Sequence, residues 1–290
     1  MTEILVSDTE TTGLNGNTDK VVDFGFCWLS WPFDHDKAIK PPESHYIHPG
    51  LVPISPEARA THHIVLSDLD GAPDWGVAPS LVSDYAERML GTSDDGAPRR
   101  FDYAAFHNSR FDCRWVKPHI LGESPVIDTL RCARNLWPDA PTHSNQGLRY
   151  FLEDTGNLFS PVPMDRAIAD NAHRAGPDAY VTAHILRAML NFMWCADHNG
   201  RTFGEMGYSD ISGMADVSKI HIQLLYEWSS RATLLTKVSF GNKYKGSLWK
   251  NVDKGYLSWC LKNVTDNPDV QYTAQHYLNL ANGVGSPHDR

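Results

Sequence analysis

The sequence predicts an α/β fold built on a mixed sheet with helices on its flanks. Strand-like apolar runs crowd residues 1–50, and strand and helix patterns alternate from residue 99 onward. A composition of 41% hydrophobic and 11% aromatic residues is that of an ordinary globular chain. At 290 residues the chain can bury a sizeable core, which suits one domain plus a small appendage.

The elements follow in order. Ile4, Leu5 and Val6 centre a buried strand over 4–8, which the Thr11-Thr12-Gly13 run breaks. "KVVDFGFCWLSW" at 20–31 and "SHYIHP" at 44–49 are two more strands, joined by loops rich in Gly, Asn and Pro. "LVPISPEARATHHI" at 51–64 is read as a loop. Leu81, Tyr85 and Met89, four apart, mark a helix over 79–91. "RRFDYAAF" at 99–106 reads as a strand, and "NSRFDCRWV" starts a helix capped by Asn108 or Ser109 and disturbed by Pro118. "VIDTLRCARNLW" and "SNQGLRYFLEDTG" read as short helices, the second capped by Ser144. A long helix starts at Gly176-Pro177 and ends near Asn199-Gly200, with apolar residues at 181, 185, 189 and 193. The stretch 200–215 has no period. A helix follows with Val217, Ile220, Leu224 and Trp228 on one face, then a short hairpin and a short helix within 238–263. This divides the chain into a domain over 1–200, a linker over 201–215, a small basic and aromatic module over 216–282, and a loose tail over 283–290.

The net charge is −9, yet residues 231–262 hold seven Lys or Arg against one acid, Asp253. An acidic total argues against gripping nucleic acid by overall charge, so any grip must be local or mediated by metal. In the module Phe240, Tyr244, Trp249, Tyr256 and Trp259 interleave with lysines. That pattern suits either stacked bases beside cations or a mini-core with a solvated lysine face. The five cysteines (27, 113, 132, 195, 260) contain no C-x-x-C pair, which fits reduced thiols in a cytosol better than a disulfide framework or zinc site. No apolar stretch reaches membrane-spanning length and no secretory signal is visible, so a cytoplasmic location without membrane partners is expected.

The chemistry-bearing residues begin in "ILVSDTETTGL". Side chains at i and i+2 of a strand share a face, so Asp8 and Glu10 project side by side. Two acids at ~4 Å repel by roughly 4 kcal/mol at an effective dielectric near 20, which a divalent cation would remove. Taken alone, such a pair is equally two solvated acids at a strand exit. Asp112, in the first turn of a helix after a strand, is by itself adequately explained by the helix dipole. In "NAHRAGPDAYVTAHIL", Asp178 lies in the first turn of the long helix and His173 lies five residues before it, on a loop that can swing. A rigid acid suits metal binding and a mobile imidazole suits proton transfer.

Together these blocks resemble a known family. D-x-E near the N-terminus, H-N-x-x-F-D after a strand, and H-x-A-x-x-D opening a late helix are similar to the DEDDh branch of the DnaQ-like 3′–5′ exonucleases. "ISPEARATHHI" resembles the loop after that family's third strand, and "IDTLRCARNLWPDAPTHSNQGLRYFL" resembles bacterial exonuclease X-type members, so the likeness covers about 4–195. The basic "FGNKYKGSLWKNVDKGYLSWCL" resembles a small C-terminal module of those proteins. The family's other branch carries a tyrosine where this chain has Arg174.

The resemblance implies a ribonuclease H-like fold with a mixed five-stranded sheet. It also implies two Mg²⁺ or Mn²⁺ ions, with Asp8 bridging both, Glu10 and Asp178 completing the site that activates water, and Asp112 serving the second ion. His173 would be the general base. The Gly176-Pro177 start is stiffer than in many members and would restrict its swing. Thr11, Thr12, Gly13 and Leu14 would line the pocket for the terminal nucleotide, Leu14 wedging against a base, with His63 and Phe111 as weaker candidates; for Phe111 core packing is the better reading. His62 and His184 are read as ordinary polar or core histidines. The implied activity is two-metal-ion hydrolysis releasing 5′-mononucleotides from 3′ ends, preferably of single-stranded DNA. Two alternatives stay open: a 3′–5′ exoribonuclease, and a non-catalytic nucleic-acid-binding or polymerase accessory module. The residues do not decide between a monomer and a homodimer.

Overall fold

The computed structural model describes residues 1–32, 39–138, 140–155, 164–197 and 214–284, without the side chains of 119 and 214–218. Strand β1 (Thr2–Thr11) pairs antiparallel with β2 (Val21–Trp31), and β2 with β3 (Glu43–Tyr46). On the other side of β1, β4 (Tyr103–Phe106) and then β5 (Val126–Asp128) add in parallel, giving the order β3-β2-β1-β4-β5. This is the expected mixed five-stranded, ribonuclease H-like sheet, with β1 at its centre.

The helices are α1 (Pro56–His62), α2 (Ala78–Leu90), α3 (Ser109–Val116), α4 (Thr129–Leu136), α5 (Asn145–Asp154), α6 (Arg166–Ala169), α7 (Ala175–Asp197), α8 (Met214–Trp228), α9 (Lys254–Asn263) and α10 (Pro268–Ala281). Alternation along the strands assigns the two faces. Ile4, Val6, Cys27 and Leu29 pack beneath α7, which is buried nearly all round and therefore reads as apolar on every side. Leu5, Phe24 and Phe26 face the other way, against Tyr85 of α2 and Trp115 and Val116 of α3. A separate cluster around Val238, Trp249, Leu257, Cys260 and Val270 forms the core of the C-terminal part.

Several expectations need correction. The loop over 51–64 contains α1: Ser55 Oγ accepts from the Ala58 N–H and Pro56 takes the first position, in a seven-residue helix too short to show a period. "VIDTLRCARNLW" opens with β5 before α4, and Asp128 caps the helix by accepting from the Arg131 N–H. Helix α7 starts at Ala175 rather than Pro177, since proline is tolerated throughout a first turn whose N–H groups lack helical acceptors. On α8, Leu224 and Trp228 pack against the main core as expected, but Ile222 and Leu225 are its buried contacts, Ile220 is 61% exposed, and Val217 lies outside the described side chains. Helix α10, capped by Asn267, was not anticipated. The expected linker falls, as far as residue 213, outside the described residues, as does 285–290 of the tail. Among the described residues no disulfide links any of the five cysteines, and no helix is long and apolar enough to cross a membrane.

Candidate active site

Strand β1 continues straight through the two acids, and its register with β2 shifts only between Glu10 and Thr11. Asp8 and Glu10 therefore share the face of Ile4 and Val6, towards α7. What brings α7 to them is a glycine. Gly25 lies opposite Asp8 on β2, and a Cβ there would sit 2.1 Å from both Ala175 C and Gly176 N. Only a residue without a side chain lets the start of α7 rest on the sheet at this point. Asp178 then projects from the first turn of α7, buried, beside Glu10. One ligand atom each from Glu10, His173 and Asp178 lie within 4.8 Å of one another.

His173 precedes the helix in a left-handed conformation (φ 62°). Its N–H donates to Asp178 Oδ2 at 2.8 Å. The next residue, Arg174, donates through Nε to Asp23 Oδ2 at 2.8 Å, the Ala175 N–H reaches the same oxygen at 3.2 Å, and the guanidinium lies 4.6 Å from the Tyr46 ring centre. Asp23 is fully buried and pairs in register with Glu10. The expected swinging loop is thus corrected: the backbone of His173 is pinned on both sides, and only its exposed imidazole is free to turn.

Asp112 arrives from the opposite side. It is buried in the first turn of α3, and its Oδ1 accepts from Thr9 N–H at 3.0 Å and from Thr9 Oγ1 at 2.7 Å. Thr9 lies between Asp8 and Glu10, so these bonds tie α3 to the centre of the acidic strand. A solvated, dipole-compensating aspartate would need neither the burial nor the tie.

The electrostatics show how tightly the acids gather. Burial, and then Asp112, Glu10, Asp178 and Asp23 in turn, hold the Asp8 carboxyl well above the usual carboxylate range. Burial, Asp178, Asp23 and Asp112 push Glu10 up to about 8, against a smaller opposing pull from Arg174. Burial pushes Asp112 up to about 7 although the Thr9 bonds pull it down. Asp178 is also raised by burial, opposed by the His173 N–H and by Gln146 Nε2 at 3.3 Å. Elevation of Asp8 and Glu10 by the neighbouring acids is characteristic of carboxylates that share a site with a cation or a proton. Carboxylate oxygens are hard donors, so the set fits Mg²⁺ or Mn²⁺ far better than a thiophilic metal.

The four acids and His173 are therefore brought together. Residues Thr11 to Leu14 form the adjoining loop. Thr11 and Thr12 are buried, with Thr12 Oγ1 donating to Asp19. A Cβ on Gly13 would come 2.6 Å from the Asp19 carboxylate, which would have to shift to admit any side chain there. Leu14 is 78% exposed, and its carbonyl accepts from Arg114 Nη1 at 2.8 Å. His62, not His63, reaches this loop: His62 Nδ1 accepts from the Ile64 N–H, which leaves Nε2 to donate to Thr11 O at 3.2 Å. His63 is an exposed left-handed C-cap of α1. Phe111 packs edge-on to Trp115 at 5.1 Å, and His184 is buried, as their core readings require. A cavity of about 480 Å³ beneath Leu5, Ala86, Phe101 and Leu121 is lined by none of the five candidate catalytic residues.

Sequence reasoning missed Asp23, Thr9, Gln146 and Asn145, whose Nδ2 bonds Asp178 O and Thr182 Oγ1 and so seats α5 against the start of α7. Asp23 did carry a signal: an acid inside the apolar "VVDFGF" must find a buried partner.

No family model matches the chain. Among curated proteins, the chain matches the PolC-type DNA polymerase III of Clostridium perfringens, 26% identical over 234 residues. That match covers 77% of this chain but only 14% of the polymerase. Among solved structures, exonuclease X in complex with 5′ overhanging duplex DNA is 28% identical, covering 68% of this chain and 96% of its own, with a TM-score of 0.43. The chain is similar to DEDDh-type 3′-exonucleases. The nuclease domain of 3′hExo, a DEDDh family member bound to rAMP, is 17% identical over 70% of this chain and 97% of its own (TM-score 0.45). E. coli exonuclease I in complex with a dT13 oligonucleotide is 16% identical over 69% and 43% (TM-score 0.47).

Proposed function

We propose that the chain is a 3′–5′ exonuclease that hydrolyses the terminal phosphodiester of single-stranded DNA and releases 5′-mononucleotides, using two Mg²⁺ or Mn²⁺ ions. The observation that carries this reading is the convergence of Asp8, Glu10, Asp112 and Asp178 in one partly desolvated cup with the His173 imidazole at its rim. A surface that only bound a polyanion would not place four acids against the phosphate.

A pair of divalent ions in the cup would offset the charge of the phosphodiester and of the attacking hydroxide. Asp8, which Asp112, Glu10 and Asp178 all perturb, would hold the ions together with those three acids. Asp112 is oriented by Thr9, and Asp178 by Gln146 and the His173 backbone. His173 is the exposed group beside Glu10 and Asp178, and histidine exchanges protons near neutral pH, which suits it to take the proton of the attacking water. Leu14, exposed on the neighbouring loop, would press against the terminal base.

The test uses 5′-labelled DNA and RNA oligomers of one sequence, with Mg²⁺ and with EDTA. The expected result is a descending ladder from the 3′ end of DNA, weaker on RNA, absent in EDTA and absent for Asp8→Ala. Equal or faster loss of RNA would move the assignment to an exoribonuclease. Full activity of Asp8→Ala would remove the basis of the proposed chemistry.

A further inference from the structure

The C-terminal core closes without one of its aromatic residues. Val238, Trp249, Val252, Leu257, Cys260, Val270 and Ala274 fill it, with Phe240, Tyr244 and Tyr256 packed at its edge. Trp259 is 47% exposed, and of the nine tryptophans it alone is among the chain's exposed large apolar residues. It does not stand in isolation. The Tyr256 ring stacks on it at 5.4 Å and 26°, and Tyr244 meets Tyr256 edge-on at 4.9 Å. Tyr256, Trp259 and Lys262 recur every three residues and share one face of α9. Lys243 Nζ lies 4.8 Å from the Tyr244 ring centre.

We propose that this stripe is a second binding site for single-stranded nucleic acid, which holds the strand outside the acid cup; as a grip on the same substrate it rests on the exonuclease reading. Charge decides the occupant. Lys243, Lys245, Lys250, Lys254 and Lys262 are all exposed in the same module, Lys243 against the Tyr244 ring and Lys254 bonded to Asn282 Oδ1 at 3.0 Å. The single acid among them, Asp253, is already engaged by Lys243 and by the Tyr244 hydroxyl. Flat π-faces in a module rich in exposed cations offer every base a stacking surface and every phosphate a counter-charge, without regard to sequence. An apolar protein partner would leave those ammonium groups unmatched. The site is also firmly mounted. Asp269, at the start of α10, takes two bonds from the buried Arg131 of α4 and one from the Thr233 N–H. Arg110 lies 3.9 Å from the same carboxylate, two residues before Asp112. The root of the aromatic module is thus fixed beside the helix that carries a cup residue.

Fluorescence anisotropy of the full chain in EDTA, where turnover is suppressed, tests this with oligothymidines of about 20 and about 4 nucleotides, since a site beyond the cup serves only the longer strand. Trp259→Ala should weaken the longer oligomer ~10-fold and leave the shorter unchanged, with Trp259→Phe near wild type. Lys262→Gln should reduce the slope of log affinity against log salt by about 0.7, the loss of one phosphate contact. Unaltered thermal unfolding shows that the variants fold. Wild-type affinity and slope in Trp259→Ala and Lys262→Gln would overturn the proposal, as would equal weakening of long and short strands. Trp259-dependent binding by a chain that hydrolyses nothing would defeat the exonuclease reading and support the platform.

Discussion

Replacing Glu10 by glutamine should abolish hydrolysis and yet stabilise the metal-free protein. The Glu10 carboxyl titrates at about 8 in the folded chain against an ordinary value of 4.5. Between those two values the folded state holds a proton that the unfolded state has lost, so raising the pH through this window strips the proton and removes stability. Keeping Glu10 charged above the window costs roughly 5 kcal/mol at ~1.36 kcal/mol per pH decade. Glutamine has nearly the same shape and no charge. Burying its amide with incomplete hydrogen bonding returns about 1–3 kcal/mol of that cost. A net gain of about 2–4 kcal/mol remains, or a Tm rise of ~5 °C or more for a chain of this size. The assay is thermal unfolding in EDTA at about pH 5 and at about pH 8.5, either side of the window. Wild type should melt lower at the alkaline pH, Glu10→Gln should narrow that difference while the raised Asp8, Asp112 and Asp178 keep the rest, and added Mg²⁺ should raise wild type more than the variant. Identical pH dependence in the two proteins, or a variant less stable than wild type on the alkaline side, would refute the cluster of mutually repelling acids.

Three further outcomes are expected. His173→Ala should lower the hydrolysis rate ~10²–10⁴-fold near neutral pH, while Mg²⁺ still raises Tm. Asp23→Asn should free the Arg174 clamp, at a cost of about 1–2 kcal/mol once the one-third exposure of Arg174 is allowed for. It should lower kcat more than it raises KM, because it loosens His173 without touching substrate; an unchanged kcat would show that the clamp serves stability alone. Asp269→Ala strands the buried Arg131 guanidinium and should cost about 3–5 kcal/mol in urea unfolding, with earlier proteolytic release of the C-terminal part. Wild-type resistance to both would mean that the ion pair does not anchor the module.

Much of the site was legible because it obeys local rules. Period-two alternation alone puts Asp8 and Glu10 on one face, and an acid after a helix start is readable at Asp112 and Asp178. The central strands and the long helix were readable because their apolar runs exceed the length at which periodicity becomes ambiguous. The short elements were not: α1 has seven residues and β5 three, and their caps depend on contacts made after folding. The pinning of His173 was hidden because Asp23 lies 151 positions from Arg174.

The amino-acid sequence by itself determined which groups could do chemistry and on which elements they ride, since side-chain spacing along a strand or helix is a property of the backbone. Only the tertiary structure decided that the acids converge and that Trp259 is left outside its core. Gly25 admits α7 to the sheet, Thr9 draws Asp112 across to β1, and Asp23 fixes the loop of His173, each through a contact between residues far apart in the chain. Packing at van der Waals distance sets such contacts, and no periodicity encodes them.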